Sequence, residues 1–221
     1  MKRDFIKLTV VAVIAIGTFT ACEKENGSSN SGSDSESGSF VIESTNVINS
    51  NNNIATVKGC LWTEGEGDND EEEWWTVIAT GQYGKGGFKL TLPDNVNSKY
   101  LEYATDLFND ESISDNKAKT MYLNEFWIGA YGKAGKAMGM LQCLGANSNI
   151  FVYVNYMYAD RKFTYKETDD DYEANCTFNK GWNAVYFYEE SRNGNEYYGM
   201  TTQKPSGVTL KWEYTEGIEV P

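Results

Sequence analysis

After residue 40, apolar and polar positions alternate with a period of two through most of the chain, and glycine-rich or polar turns interrupt the alternation. A period of two marks strands whose successive side chains point to opposite faces. "IATVKGCLW" (54–62) predicts one strand, "EGEGDNDEEE" (64–73) a loop, and "WWTVIATGQY" (74–83) the next strand. "GKGG" then turns the chain into "FKLTLP" (88–93), which predicts a hairpin. "IFVYVNYMYA" (150–159) is apolar or aromatic on both parities, as a central strand covered on both faces requires, and a turn at Asp160 leads into "KFTYKE".

Two turns further along carry specific signals. "CTFNKGWNAVY" predicts a type I turn over Asn179-Lys180 with Gly181 in the left-handed region, closing a three-residue hairpin with a bulge. In "SRNGNEYY", Asn193-Gly194 predicts a two-residue hairpin. Strands over 172–178, 182–190, 195–203 and 207–214 are therefore expected to form a meander. Only "NSKYLEYATDLF" (97–108) has room for a helical turn or two. A single open sheet of this many strands would leave an apolar face wet, so an all-β, antiparallel β-sandwich is expected. The composition shifts only near "LGANSN" (144–149), which sets the one internal boundary, and no internal repeat stands out.

The amino-terminal pattern differs. Lys2, Arg3 and Lys7 precede an apolar run from Leu8 to Ile16, and Gly17 with "TFTA" completes an export signal over residues 1–21. The run is shorter than the roughly 20 apolar residues that a spanning helix needs. "FTAC" resembles the lipobox of bacterial lipoproteins, which implies that Cys22 is lipidated and becomes the mature amino terminus. An ordinary cleavage site that happens to lie beside a cysteine is the competing reading. Several acyl chains hold firmly where one holds only marginally, so the membrane contact expected is the lipid anchor itself. Residues 22–39, with "EKENGSSNSGSDSESGS", are almost devoid of apolar side chains and read as a flexible tether. "CEKEN" resembles the acidic, lysine-containing tags that send some Gram-negative lipoproteins to the outer face of the cell.

Charge and composition narrow the function. Nineteen basic against 32 acidic residues give a net −13, and there is no histidine. Without histidine, Ser-His-Asp and Cys-His catalysis and His-ligated zinc are excluded. Only Arg3, Arg161 and Arg192 are arginines, and so acidic a chain offers no basic face for nucleic acid. Cys60, Cys143 and Cys176 match no metal spacing. Three buried free thiols are expected, with one bridged pair and one cysteine left over as the alternative. "GDNDEEEWW" lacks the glycine and glutamate positions of an EF-hand loop. It reads as a solvated acidic tip, as does "ETDDDY" (167–172). Carboxylate-pair hydrolysis needs two acids at a set separation across a cleft, and the sequence selects no pair; neither Glu102 nor Glu125 stands out. No enzyme activity, cofactor or metal is expected.

"GGFKLTLPDNVNSKYLEY", "SDNKAKTMYLNEFWIGAY" and "NKGWNAVYFYEE" together resemble surface lipoproteins of gut-type Gram-negative bacteria. In those, a prealbumin-like (transthyretin-like) sandwich is followed by a further β segment ending in a "KGWN" hairpin. The resemblance spans most of Ala55 to Glu190. It implies a prealbumin-like or immunoglobulin-like sandwich over 40–145 with an additional C-terminal β segment over 146–221, packed on the first or continuous with it. It also implies that Gly87 and Gly181 serve turns and that Trp182 serves packing. It assigns no catalytic residue.

Aromatic residues are what remains for function. Six Trp and 15 Tyr are many for one body of this size. Adjacent Trp74 and Trp75 must point to opposite faces of a strand, as must Tyr197 and Tyr198. Either both faces are buried or one presents a ring to solvent. An indole face can stack on the C–H face of a sugar. The expected function is a binding module on the outer membrane, exposed at the cell surface, for a glycan or an uptake-system protein partner, with Trp74, Trp75, Tyr197 and Tyr198 as ligand-binding residues. The alternative is a structural or adhesive subunit of the fimbrial type. Fimbrial precursors with transthyretin-like sandwiches are trimmed at an arginine, and none lies between Arg3 and Arg161.

Overall fold

The computed structural model describes residues 39–63, 74–121, 126–192 and 194–217. Its strands join into one mixed sheet that divides into two layers, a sandwich-like all-β arrangement. The first layer has the order β1 (Val41–Ser44), β5 (Gly87–Thr91), β4 (Trp74–Gly84), β3 (Ile54–Thr63) and β8 (Phe126–Gly132). The second has the order β10 (Ile150–Ala159), β13 (Gly181–Arg192), β14 (Asn195–Thr201), β12 (Tyr172–Phe178) and β11 (Phe163–Thr168).

A forked strand joins the layers. One edge of β9 (Ala137–Ala146) pairs with β8 up to Leu141 and with β10 from Cys143 onward. Its other edge pairs with β15 (Lys211–Glu216), and β15 runs parallel to the short β2 (Val47–Ile48). Where β8 and β10 diverge, side chains of both layers fill the gap. Phe126 of β8 meets Trp182 of β13 at 5.2 Å and Tyr156 of β10 at 6.0 Å, centroid to centroid. Phe88 of β5 meets Trp212 of β15 edge-on at 5.0 Å. Val57, Leu61, Leu90, Ile128 and Val152 complete this first core.

The second layer curls away from the first and encloses a core of its own. Phe163, Cys176, Phe178, Val185 and Met200 lie inside it. The segment of β6 (Glu102–Tyr103), α1 (Ala104–Leu107) and β7 (Lys119–Thr120) closes the ring. Ile113 bridges to Tyr165, the Ser114 N–H donates to the Thr164 carbonyl, and Thr120 pairs with Ala159. β10 and β13 form the wall between the cores. Val152, Tyr158, Trp182 and Tyr186 face the first, while Met157, Ala159 and Val185 face the second. This double burial is why "IFVYVNYMYA" is apolar on both parities.

Four sequence expectations need correction. The sheet is mixed rather than antiparallel, because β12–β14 and β15–β2 are parallel pairs. The four carboxy-terminal strands form no meander. β14 lies between β12 and β13, and β15 leaves to close the first core. Consequently "NKG" is a corner and not a hairpin, since Phe178 enters the second core and Trp182 the first. Gly181 does take a positive φ of 99°. Asn183 fixes the corner: its amide accepts from the Asn179 N–H at 2.8 Å and donates to the Asn179 and Gly181 carbonyls at 2.9 Å each. Last, the β4–β5 turn is made by Lys85 and Gly86, both at positive φ. Gly87 instead lets the backbone of Ser44 and Thr45 come close, where a side chain would clash.

The β13–β14 hairpin closes with Arg192 opposite Asn195, as "NG" predicts. Residues 147–149 form the tight β9–β10 turn, so the sheet continues through the expected boundary at 145. Single-turn 3₁₀ and α segments occupy 98–100 and 104–107. Cys60, Cys143 and Cys176 are buried thiols that form no disulfide with one another.

Candidate functional site

On β3, Val57 and Leu61 face the first core, so Lys58, Cys60 and Trp62 face outward. A bulge decides what stands beside them. Gly59 pairs with Ala79 but Cys60 pairs with Val77, leaving Ile78 as an extra residue in β4. Ala79 keeps the core face, and the shift of parity turns Val77 and Trp75 outward. Without it, both side chains would point inward. Val77 is 46% exposed, high for a valine in mid-strand.

Trp75 pairs across the strands with Trp62 and meets Trp127 of β8 edge-to-face, at 6.1 Å and 85°. All three indoles are half-buried. They form an apolar face on the solvent side of the first layer. Below them, Lys58 Nζ lies 3.9 Å over the Tyr131 ring, and the Tyr131 hydroxyl is 3.8 Å from Cys60 Sγ. Burial raises both the Tyr131 hydroxyl and the Cys60 thiol, so neither is ionised near neutral pH. Tyr131 and Met140 are buried under this face, and Trp127 packs against them.

Trp74 opens β4 opposite Thr63, and its side chain lies outside the described residues, as do Cys22 and the acidic tip expected over 64–73. Tyr197 and Tyr198 stand on β14 in the other layer, so they share no site with Trp75. Tyr197 is half-buried beneath the Arg192 guanidinium, 4.9 Å from its ring centroid. Tyr198 is on the opposite face, 42% exposed, and donates to the Glu196 carboxylate at 3.0 Å. Trp182 serves packing: it is buried, and its indole N–H donates to the Pro93 carbonyl at 2.8 Å. Trp62 and Trp127 were not singled out by sequence; their placement depends on strand order and on the bulge.

Among the described residues no group of three or more Cys, Asp or Glu side chains is arranged to hold a metal, and no helix is long and apolar enough to cross a membrane. In "ETDDDY", Glu167 accepts from Tyr165 and from the Asn109 amide. Comparison of the chain with protein-family models, with curated proteins and with solved structures finds no match.

Proposed function

We propose that this is a surface lipoprotein of the outer membrane, acylated at Cys22, whose tether presents a prealbumin-like sandwich as a non-catalytic binding module for a glycan. The observation that carries the reading is the outward tryptophan face. Trp62, Trp75 and Trp127 stand on the solvent side of strands whose other side already fills the first core. Packing of that core does not need them there. A pyranose C–H face stacks on an indole, and the edge-to-face pair of Trp75 and Trp127 offers ring planes at 85° for two contacts. The lipobox-like "FTAC" and the polar residues 23–39 support display at the membrane.

The test is retention on insoluble polysaccharides. Trp75→Ala and Trp127→Ala should each weaken retention by about tenfold or more, the usual size for loss of an aromatic anchor. Both variants should still unfold cooperatively, Trp127→Ala at a lower midpoint because Trp127 packs on Tyr131 and Met140. If both variants bind as the parent does, or only unfold, the tryptophan face is not the binding surface. Mass spectrometry of the native protein checks acylation at Cys22.

A further inference from the structure

On the second layer, the face of β13, β14 and β12 that looks away from the second core runs past the edge of the first core, where Tyr188 still packs, and forms the floor of an open groove of about 760 Å³. The 147–149 turn and the 203–206 segment form its walls. The walls are tied together, since the Asn147 amide accepts from the Asn149 and Ile150 N–H groups and donates to the Gly207 carbonyl at 3.3 Å.

Its chemistry is specific. β13, β14 and β12 each have strand partners on both edges, so the floor has no free backbone with which to add a peptide as a further strand. Recognition falls to side chains. Tyr188 stands opposite Gly199, and a Cβ at Gly199 would overlap the Tyr188 ring, so the ring lies across the glycine. The Tyr188 hydroxyl, the Glu173 carboxylate and the Asn175 amide have no hydrogen-bond partner among the described residues. Arg192 is held by Glu190 at 2.7 Å and by the Tyr197 ring. Glu173 and Lys204 are then the unpaired charges of the lining, and they balance. Burial and the Glu173 carboxylate raise the Tyr188 hydroxyl above its usual value, which keeps it a donor at neutral pH.

We infer that this groove binds a neutral oligosaccharide, with Tyr188 stacking on it through its ring and donating to it through its hydroxyl, and with Glu173 and Asn175 as the groups that hold the sugar hydroxyls. Planar carboxylate and amide groups can take vicinal hydroxyls two at a time, and a charge-balanced lining on an acidic body offers a polyanion nothing. The volume falls within the usual range for small-molecule sites, about 300–1,000 Å³, yet the lining is polar where drug-like ligands want it apolar. The groove shares only the ligand class with the tryptophan-face reading and stands without it.

Nuclear magnetic resonance titration of the mature chain with maltohexaose, cellohexaose, xylohexaose and mannohexaose, and with polygalacturonate, tests the assignment. At least one neutral hexasaccharide should shift the amides of Glu173, Asn175, Tyr188 and Gly199. Asn175→Ala and Tyr188→Phe should each weaken that binding by about three- to tenfold, the share of one hydrogen bond. Trp75→Ala should leave it unchanged, while the groove variants should leave tryptophan-dependent polysaccharide retention unchanged. Silence from all four neutral probes at millimolar concentration, a response confined to Trp75 and its neighbours, or tighter binding of polygalacturonate would each overturn the groove. Glu173 and Asn175 are exposed, so loss of folding does not confound the readout; Glu173→Gln serves as the second variant.

Discussion

Asn183 shows how much one side chain decides. It is buried at the corner between the two cores and satisfies three backbone groups, the N–H and carbonyl of Asn179 and the carbonyl of Gly181. Asn183→Ala strands those groups in a place that water reaches poorly. The expected loss of stability is about 2–3 kcal/mol, measured as a fall in the urea midpoint at unchanged slope. Gly181→Ala is expected to be milder, about 1–2 kcal/mol, because a side chain can take the positive φ only under strain. Sequence reading finds Gly181 from "NKG" but not Asn183. Its role depends on the chain turning a corner there, and the pattern alone suggests a hairpin.

At the scale of the element, β7 is a two-residue link in the ring around the second core, and Asp160 fastens it. The Asp160 carboxylate accepts from the Lys119 N–H at 2.8 Å and from the Arg161 guanidinium, while the Asp160 N–H donates to the Lys119 carbonyl at 2.9 Å. Burial works against its ionisation, yet the Arg161 and Lys119 hydrogen bonds outweigh burial and hold the carboxyl below its ordinary value. A depressed folded-state value means stabilisation that is fully present above the unfolded value, near about 4, and is lost as pH falls through the folded value. Asp160→Asn should therefore lower the urea midpoint at neutral pH, and the gap from the parent should close as the buffer is taken below about pH 4. A gap independent of pH would assign the effect to packing. Elements of this kind divide by how local their cause is. β10 and β12 were legible to the residue, because alternation or double burial is written in their own letters. The insertion of β14 between β12 and β13 was not, because a parallel neighbour is set by topology. The bulge at Ile78 was missed for a related reason. It is visible only when the register of β3 against β4 is known, and it decides which way Trp75 faces.

Over the whole molecule, the two cores share β10 and β13, and β15 returns from the end of the body to supply Trp212 and Tyr214 to the first core. A single unfolding transition is expected, and the molecule carries a probe in each core. Trp182 and Trp212 report the first by fluorescence, and the buried thiol of Cys176, raised by burial to about 12, reports the second when its alkylation is read at that residue by peptide mass spectrometry, apart from Cys60 and Cys143. Urea titrations followed by the two signals should coincide; separate midpoints would show that the cores melt independently. Residues 40–145 expressed alone lack Tyr158, Trp182 and Trp212 and should stay unfolded, with loss of near-ultraviolet dichroism as the measure. That the body is all-β was legible from alternation. That it holds two interiors was not, because the same apolar residues could have filled one. The candidate surfaces follow suit: sequence named Trp75 and Tyr197, but the company each keeps was hidden in long-range pairing. The common wall also bears on how such a chain can change over time. Val185 and Tyr186 are neighbours in sequence with opposite allegiances, so a substitution that crowds one room pushes on the other. Neither compartment can be traded, trimmed or redesigned while its twin is left alone, and variation that succeeds should concentrate in the rims and turns that belong to neither.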